Sequence, residues 1–171
     1  MVNVELLPLS NPDFELGPPG IEAIELSRVV DRAIRESKGV DMKKLCIKKG
    51  DKVWTIVVDV YPLNDAGNLF DACALAALAA IKDAKFPHYD EKAGKIDYTK
   101  KTEKKLPIIE LPASVTVFKI KDSFIIDPDY EESKIYDARL TVATLKDGTI
   151  CAMQKGGEDS VTLADIEKMI D

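Results

Sequence analysis

Strand-like and helix-like stretches alternate along this chain, and together they predict a mixed α/β (α+β) fold. Three observations carry that reading. Val53 to Tyr61 is β-branched or aromatic at nearly every position, continuous enough for a strand covered on both faces. After Pro62, turn residues Asn64, Asp65, Gly67 and Asn68 lead into an Ala-rich helix from Ala72 to Ala84, whose lack of polar residues before Lys82 predicts burial. Beyond Val115, short β segments recur with turn residues between them.

Taken in order, Val2 to Leu7 is a short strand, followed by a loop broken by Pro8, Pro12, Pro18, Pro19 and Gly20. Ile21 to Ser37 is a helix, because Ala23, Leu26, Val30, Ala33 and Ile34 recur at three- and four-residue steps, and Gly39 ends it. Leu45 to Ile47 and the strand from Val53 flank a turn around Gly50, a hairpin pattern. Phe86 to Lys105 is polar, a short exposed hairpin or a loop. Val115 to Ile120 and Phe124 to Ile126 flank a turn at Lys121 and Asp122, and Asp137 to Thr144 and Thr149 to Gln154 flank Asp147-Gly148. Thr162 and Asp165 form a capping box that opens a last helix with an apolar face of Leu163, Ile166 and Ile170.

With 171 residues the chain is long enough for one domain with a substantial core. Its net charge of -6 argues against indiscriminate nucleic-acid binding, so contact with a polyanion requires a local basic patch. Cys46, Cys73 and Cys151 are odd in number, far apart and flanked by apolar residues; they read as reduced core thiols of an intracellular, cytoplasmic protein, without metal-ligand spacing. His88, the sole histidine, sits in a polar connection and reads as a surface residue, since no second histidine can join it as a metal ligand. No signal-peptide pattern or membrane-length apolar run is present, and no cofactor motif stands out.

A strand that feeds a glycine-containing turn into a helix N-terminus is a common phosphate cradle. Here Asp71 is expected to cap the helix and occupy its free amides, and an incoming phosphate would meet a like charge. Arg28, Arg32 and Arg35 follow four- and three-residue steps and form a row along one side of the first predicted helix. Two readings stay open: pairing with Glu25, Asp31 and Glu36 along the same helix, or a row of planar forks that grips phosphate oxygens. Lys100, Lys101, Lys104 and Lys105 read as a solvated face diluted by nearby acids, and the acidic segment Asp127 to Asp137 reads as a solvated loop with the alternative of magnesium or acid–base chemistry.

Four blocks, GPPGIEAIELSRVVDRAIRESK, VWTIVVDVYPLNDAGNLFDACALAALAA, IIDPDYEE and AMQKGGEDSVTLADI, stand in an order and spacing that resemble the RNase PH superfamily. They are most similar to the non-catalytic RNase PH-like subunit of the archaeal exosome. The resemblance spans nearly the whole chain and implies an RNase PH-like βαβα domain over residues 1–171. It also implies that this is the later portion of such a domain, without the N-terminal β-rich part and the end of the last helix.

The same resemblance implies a hexameric ring, a trimer of heterodimers with a catalytic RNase PH-like partner, joined by RNA-binding cap subunits. Single-stranded RNA would thread its channel and be degraded 3′ to 5′ by phosphate. In catalytic relatives the turn before the central helix carries a glycine, a small hydroxyl residue and an arginine that hold phosphate. The matching positions here are Gly67, Asn68 and Leu69, with Asp71 just after, a degenerate phosphate site lacking the cation. Asp137 matches the second of two family aspartates and reads as a relic or structural acid; Glu131 or Glu132 stands where the first would be. Arg28 and Arg32 match positions that point toward the RNA path, and with Arg35 they are the RNA-binding candidates. No catalytic residue and no metal ligand is assigned. Two other functions remain open: a phosphorolytic nuclease in its own right, or an α/β interaction domain without an RNA role.

Overall fold

The structure, a computed structural model, describes residues 1–100 and 102–171. β1 (Val2–Val4) buries Val2 and Val4 and turns Asn3 outward. α1 (Ile21–Glu36) buries Ala23, Leu26, Val29, Val30 and Ala33, the stripe its periodicity predicts. It ends one residue earlier than Gly39 would suggest: Lys38 takes the left-handed conformation at φ 52°. Gly39 serves packing, since a Cβ there would lie 2.2 Å from the Glu110 carbonyl oxygen.

The predicted continuous strand from Val53 to Tyr61 is instead two short pieces. β2 (Cys46–Lys48) pairs antiparallel with β3 (Lys52–Val53) around Gly50, whose φ is 78°. β4 (Val58–Val60) leaves that hairpin to pair in parallel with β1. Because each piece has one strand neighbour, Val53, Val57 and Tyr61 stay exposed and are not covered on both faces.

α2 (Leu69–Asp83) is apolar nearly all round but buries only one side, through Leu69, Cys73, Ala74, Ala77 and Ile81; Leu75 is exposed. Val2, Val4, Leu26, Val30, Leu69, Cys73, Ala74 and Ala77 form the core shared by β1, α1 and α2. Of the three thiols only Cys73 is fully in a core: Cys151 is half-buried and Cys46 is exposed, because it lies on the outer side of a two-stranded hairpin. β5 (His88–Asp90) and β6 (Lys95–Asp97) close the predicted polar hairpin through Gly94 at φ 63°. His88 is half-buried opposite Asp97. In the lysine cluster Lys100 pairs with Asp97 at 3.1 Å and Lys104 lies 5.4 Å from the Phe86 ring centre; Lys101 lies outside the described residues.

β7 (Ala113–Ile120), β8 (Ser123–Ile126), β9 (Ala138–Thr144) and β10 (Ile150–Gly156) form one antiparallel sheet in the order β10-β9-β7-β8. Strand alternation gives its two faces different chemistry. Val117, Leu140 and Val142 pack on α3 (Leu163–Ile170), whereas Thr116, Arg139 and Thr141 turn toward α1 and α2. Each face carries helices, so the middle of the sheet lies between them, while Val115, Ile126, Ile150 and Met153 stay exposed.

α3 opens with the predicted capping box, Thr162 and Asp165 bonding each other's backbone amides. Its buried face is Met169 with Ile166, not Leu163 and Ile170, which are 72% and 40% exposed. Lys119 Nζ reaches Asp165 at 2.7 Å and clamps the helix to β7. The Lys119 hydrogen bond first, then the Thr162 amide, hold Asp165 down at about 2. A carboxyl depressed on folding stabilises above its unfolded value, roughly 3.9, and loses that contribution as pH falls through the folded value. Asp165→Asn is therefore expected to lower the urea midpoint at pH 7. The deficit should close between roughly pH 4 and 2; an unchanged deficit at pH 2 would remove the ion pair as its cause.

Candidate nucleic-acid interface

Turn and helix start. Asn68 ends the strand-to-helix turn in the left-handed conformation, φ 48°, which an asparagine tolerates better than most residues and which points its amide inward. Its Nδ2 donates to Asp71 Oδ2 at 2.9 Å and to Asp127 Oδ1 at 3.2 Å. Asp71 does not cap the helix as its position predicts. Thr116 of β7 offers its amide at 3.0 Å and its hydroxyl at 2.7 Å, and these two donors draw the carboxylate away from the first-turn amides onto the sheet. Thr116 Oγ1 in turn lies 2.9 Å from Thr141 Oγ1, a fully buried pair.

The turn has no room or charge for an anion. The Gly67 amide, a donor that a phosphate would need, donates at 3.1 Å to Asp65 Oδ1, while Asn11 holds the other Asp65 oxygen at 2.9 Å. The backbone of Pro128 and Asp129 closes over Gly67 so tightly that a Cβ would sit 2.3 Å from the Pro128 carbonyl oxygen. Leu69 points the other way, 8% exposed in the core with Val4 and Leu26. Asp65, Asp71 and Asp127 thus line the turn. Burial first and then the Asp65 charge push the Cys73 thiol up to about 11.

Among the sequence candidates, Gly67, Asn68 and Asp71 come together, and Leu69 does not join them. Asp137 stands apart at the β7–β8 hairpin, where its carboxylate accepts the Lys121 amide. The rest of the acidic segment makes both local and long-range contacts. Asp129 and Glu132 cap each other's amides at 2.9 and 3.0 Å. Tyr130 donates to Asp13 at 2.7 Å, a bond that is the first cause of that carboxyl's lowered pKa. Among the described residues no group of three or more acidic, histidine or cysteine side chains is arranged to hold a metal ion.

The arginine row divides. Arg35 pairs along its own helix, 3.4 Å from Glu36 and 4.0 Å from Asp31. Arg32 is half-buried and donates to Gln154 of β10 at 3.1 Å, leaving part of its fork free. Arg28 is exposed and has no ion-pair partner among the described residues. Glu25, expected to neutralise the row, goes elsewhere: it lies 2.6 Å from Arg139, which is 1% exposed and stacks over Phe70 at 3.7 Å. Gly156 lets Arg139 fit, since a Cβ there would lie 2.4 Å from its guanidinium carbon. Thr116 and Arg139 were not legible as one polar layer; only the β7–β9 register, which pairs Thr116 with Thr141 two residues from Arg139, puts them on one face of the sheet.

Residues 1–87 match the family model described as "3' exoribonuclease family, domain 1", and residues 110–171 match "domain 2" of the same family. The chain is 48% identical over 168 residues to exosome complex component Rrp42 of Thermoplasma volcanium, covering 98% of this chain and 62% of that protein. To Rrp42 of Methanothermobacter thermautotrophicus it is 42% identical over 170 residues, 99% of this chain and 63% of that one. It superposes with a TM-score of 0.88 and 42% identity on a chain of the Archaeoglobus fulgidus exosome with RNA bound to the active site, covering 99% of this chain and 64% of that one. A chain of an archaeal exosome core gives 0.81 and 39%, over 99% and 62%. The chain thus spans slightly under two thirds of the length of these relatives. With both family models matched in order and the fold shared throughout, the chain belongs to the 3′ exoribonuclease, or RNase PH, family.

Proposed function

We propose that the chain is a non-catalytic, RNA-contacting subunit in the ring of a cytoplasmic, phosphate-dependent 3′–5′ exoribonuclease. The observation that carries this is the occupied turn: the Gly67 amide is bound to Asp65, Asp127 and Asp71 face Asn68, and Leu69 is buried where a phosphate-holding cation would be needed. With the Gly67 amide engaged, no cation at the turn among the described residues and three carboxylates around it, the attacking phosphate is not held here, and phosphorolysis comes from a partner's site. The similarity to Rrp42 proteins, and to a chain of an exosome with RNA bound to the active site, supports the RNA role. A catalytic RNase PH-like partner in a trimer of heterodimers, with RNA-binding cap subunits, completes the assembly, and the 171 residues act in it as one RNase PH-like unit.

Arg28 and Arg32 supply phosphate contact in this reading, because they are the members of the row with guanidinium nitrogens not committed to a carboxylate. Arg35 is secondary, since Asp31 and Glu36 already screen it. The test is co-expression with the catalytic ring subunit, mass measurement and an RNA phosphorolysis assay. Arg28→Ala with Arg32→Ala should leave assembly intact, slow RNA degradation and reduce the log–log salt slope of RNA binding by about 1.4, the value for two lost single-strand phosphate contacts. Phosphate-dependent release of nucleoside diphosphates by the purified chain alone would make it an enzyme and end the proposal.

A further inference from the structure

The chain is acidic overall, but one end is not. Segments 41–53 and 85–105 carry 12 lysines against 6 acidic residues, a local balance of +6 in a chain of -6. The fold brings the two segments together: Lys52 of β3 donates to the Gly94 carbonyl at 3.2 Å and to Tyr89 Oη at 3.4 Å, joining the β2–β3 and β5–β6 hairpins. Most acids there are already engaged. Asp51 pairs with Lys48, Asp97 with Lys100 and Glu103 with Lys85, while Asp90 accepts the Lys92 and Ala93 amides. Lys49, Lys92, Lys95, Lys104 and Lys105 are exposed and have no carboxylate partner among the described residues.

Aromatic rings lie among these cations. Tyr98 is 79% exposed, an unusual state for a large ring with no core to fill. It forms a wall of two open grooves. The one of about 650 Å³ is bounded also by Lys52, Trp54, Tyr89 and Lys95; the other, of about 270 Å³, by Lys85, Phe86, Lys100 and Thr102. Trp54 is half-buried, 5.3 Å from Phe86 and 6.4 Å from Tyr89 by ring centres, so it gives the ridge a rigid base.

We infer that the two hairpins form a second single-stranded RNA contact surface, separate from the arginine row, in which Tyr98 stacks on a base and the lysines of the flanking grooves follow the phosphate backbone. Exposed π-faces beside mobile cations suit a single strand, whose bases are free to stack and whose phosphates are spaced for independent ammonium contacts. A carboxylate-rich protein would satisfy the lysines but leave Tyr98 without a flat partner. The choice of RNA rests on the function proposed above.

The test compares four variants of the chain, each checked for native circular dichroism, for binding of a fluorescent single-stranded oligoadenylate over a series of salt concentrations. Tyr98→Ala should weaken binding roughly five- to tenfold and Tyr98→Phe should restore it, as stacking requires. Lys95→Ala with Lys100→Ala, one lysine from each groove, should reduce the log–log salt slope by about 1.4. Unaltered affinity and slope in both, with the Arg28→Ala, Arg32→Ala chain impaired, would overturn this surface and leave the arginine row standing. No oligonucleotide binding by the wild-type chain in its assembled complex would overturn both. Capture of polyglutamate that oligoadenylate cannot displace would assign the patch to an acidic protein and also overturn it.

Discussion

Glu25→Ala is expected to destabilise the chain by about 2–4 kcal/mol, one of the two largest effects of any single change considered. Arg139 is always charged and only 1% exposed, and Glu25 is its carboxylate partner, at 2.6 Å. Two guanidinium nitrogens, Nε and Nη1, already lack a hydrogen-bond acceptor. Removing Glu25 leaves a buried charge without its ion-pair partner, facing the Phe70 ring and the more distant Glu22 carboxylate. Breaking a buried pair from one side costs roughly 3–5 kcal/mol, and the range is lowered here because Glu25 is 34% exposed and water can partly replace it. Replacing both partners, Glu25→Leu with Arg139→Met, should recover most of the loss, because no charge is then stranded. Urea denaturation of the wild type and the two variants checks this; a double variant no better than Glu25→Ala would mean that the Phe70 stack, rather than the charge, carries the stability.

Leu69→Arg is expected to cost about 3–5 kcal/mol and to confer no phosphorolysis. The substitution would place a cation at the position proposed to match the phosphate-holding arginine of catalytic relatives, yet that side chain is packed among Val4, Leu26 and Cys73. To reach the turn the arginine must leave the core and open a cavity, and at the turn it would meet Asp65, Asp71 and Asp127 before any phosphate. Leu69→Met should stay within about 1.5 kcal/mol of the wild type, which separates loss of volume from introduction of charge. Phosphate-dependent nucleoside diphosphate release by Leu69→Arg alone would show that a single missing cation had silenced the site.

The sequence was most legible where one periodicity decided the outcome. The buried stripe of α1, the hairpin glycines and the Thr162 to Asp165 capping box follow from local spacing. It was misleading where the partner of an element decided. The apolar run at Val53 to Tyr61 gives hydrophobicity but not pairing, and its halves join different strands. Asp71 sits at a capping position, yet the better donors came from Thr116, 45 residues away. Glu25 lies one step from Arg28 on its helix and pairs instead with a residue of β9, because a buried guanidinium competes more strongly than an exposed one. Long-range polar choices of this kind leave almost no mark in a single sequence.

The bonds from Asp71 to Thr116, Asn68 to Asp127, Arg32 to Gln154 and Glu25 to Arg139 share one property: each runs from residues 1–87 to residues 110–171. Grease tolerates exchange of one half for a cousin of similar bulk, whereas a stranded carboxylate or guanidinium does not. The two halves are therefore constrained to descend as a matched set, and a chimera between distant homologues would have to import these four couples together.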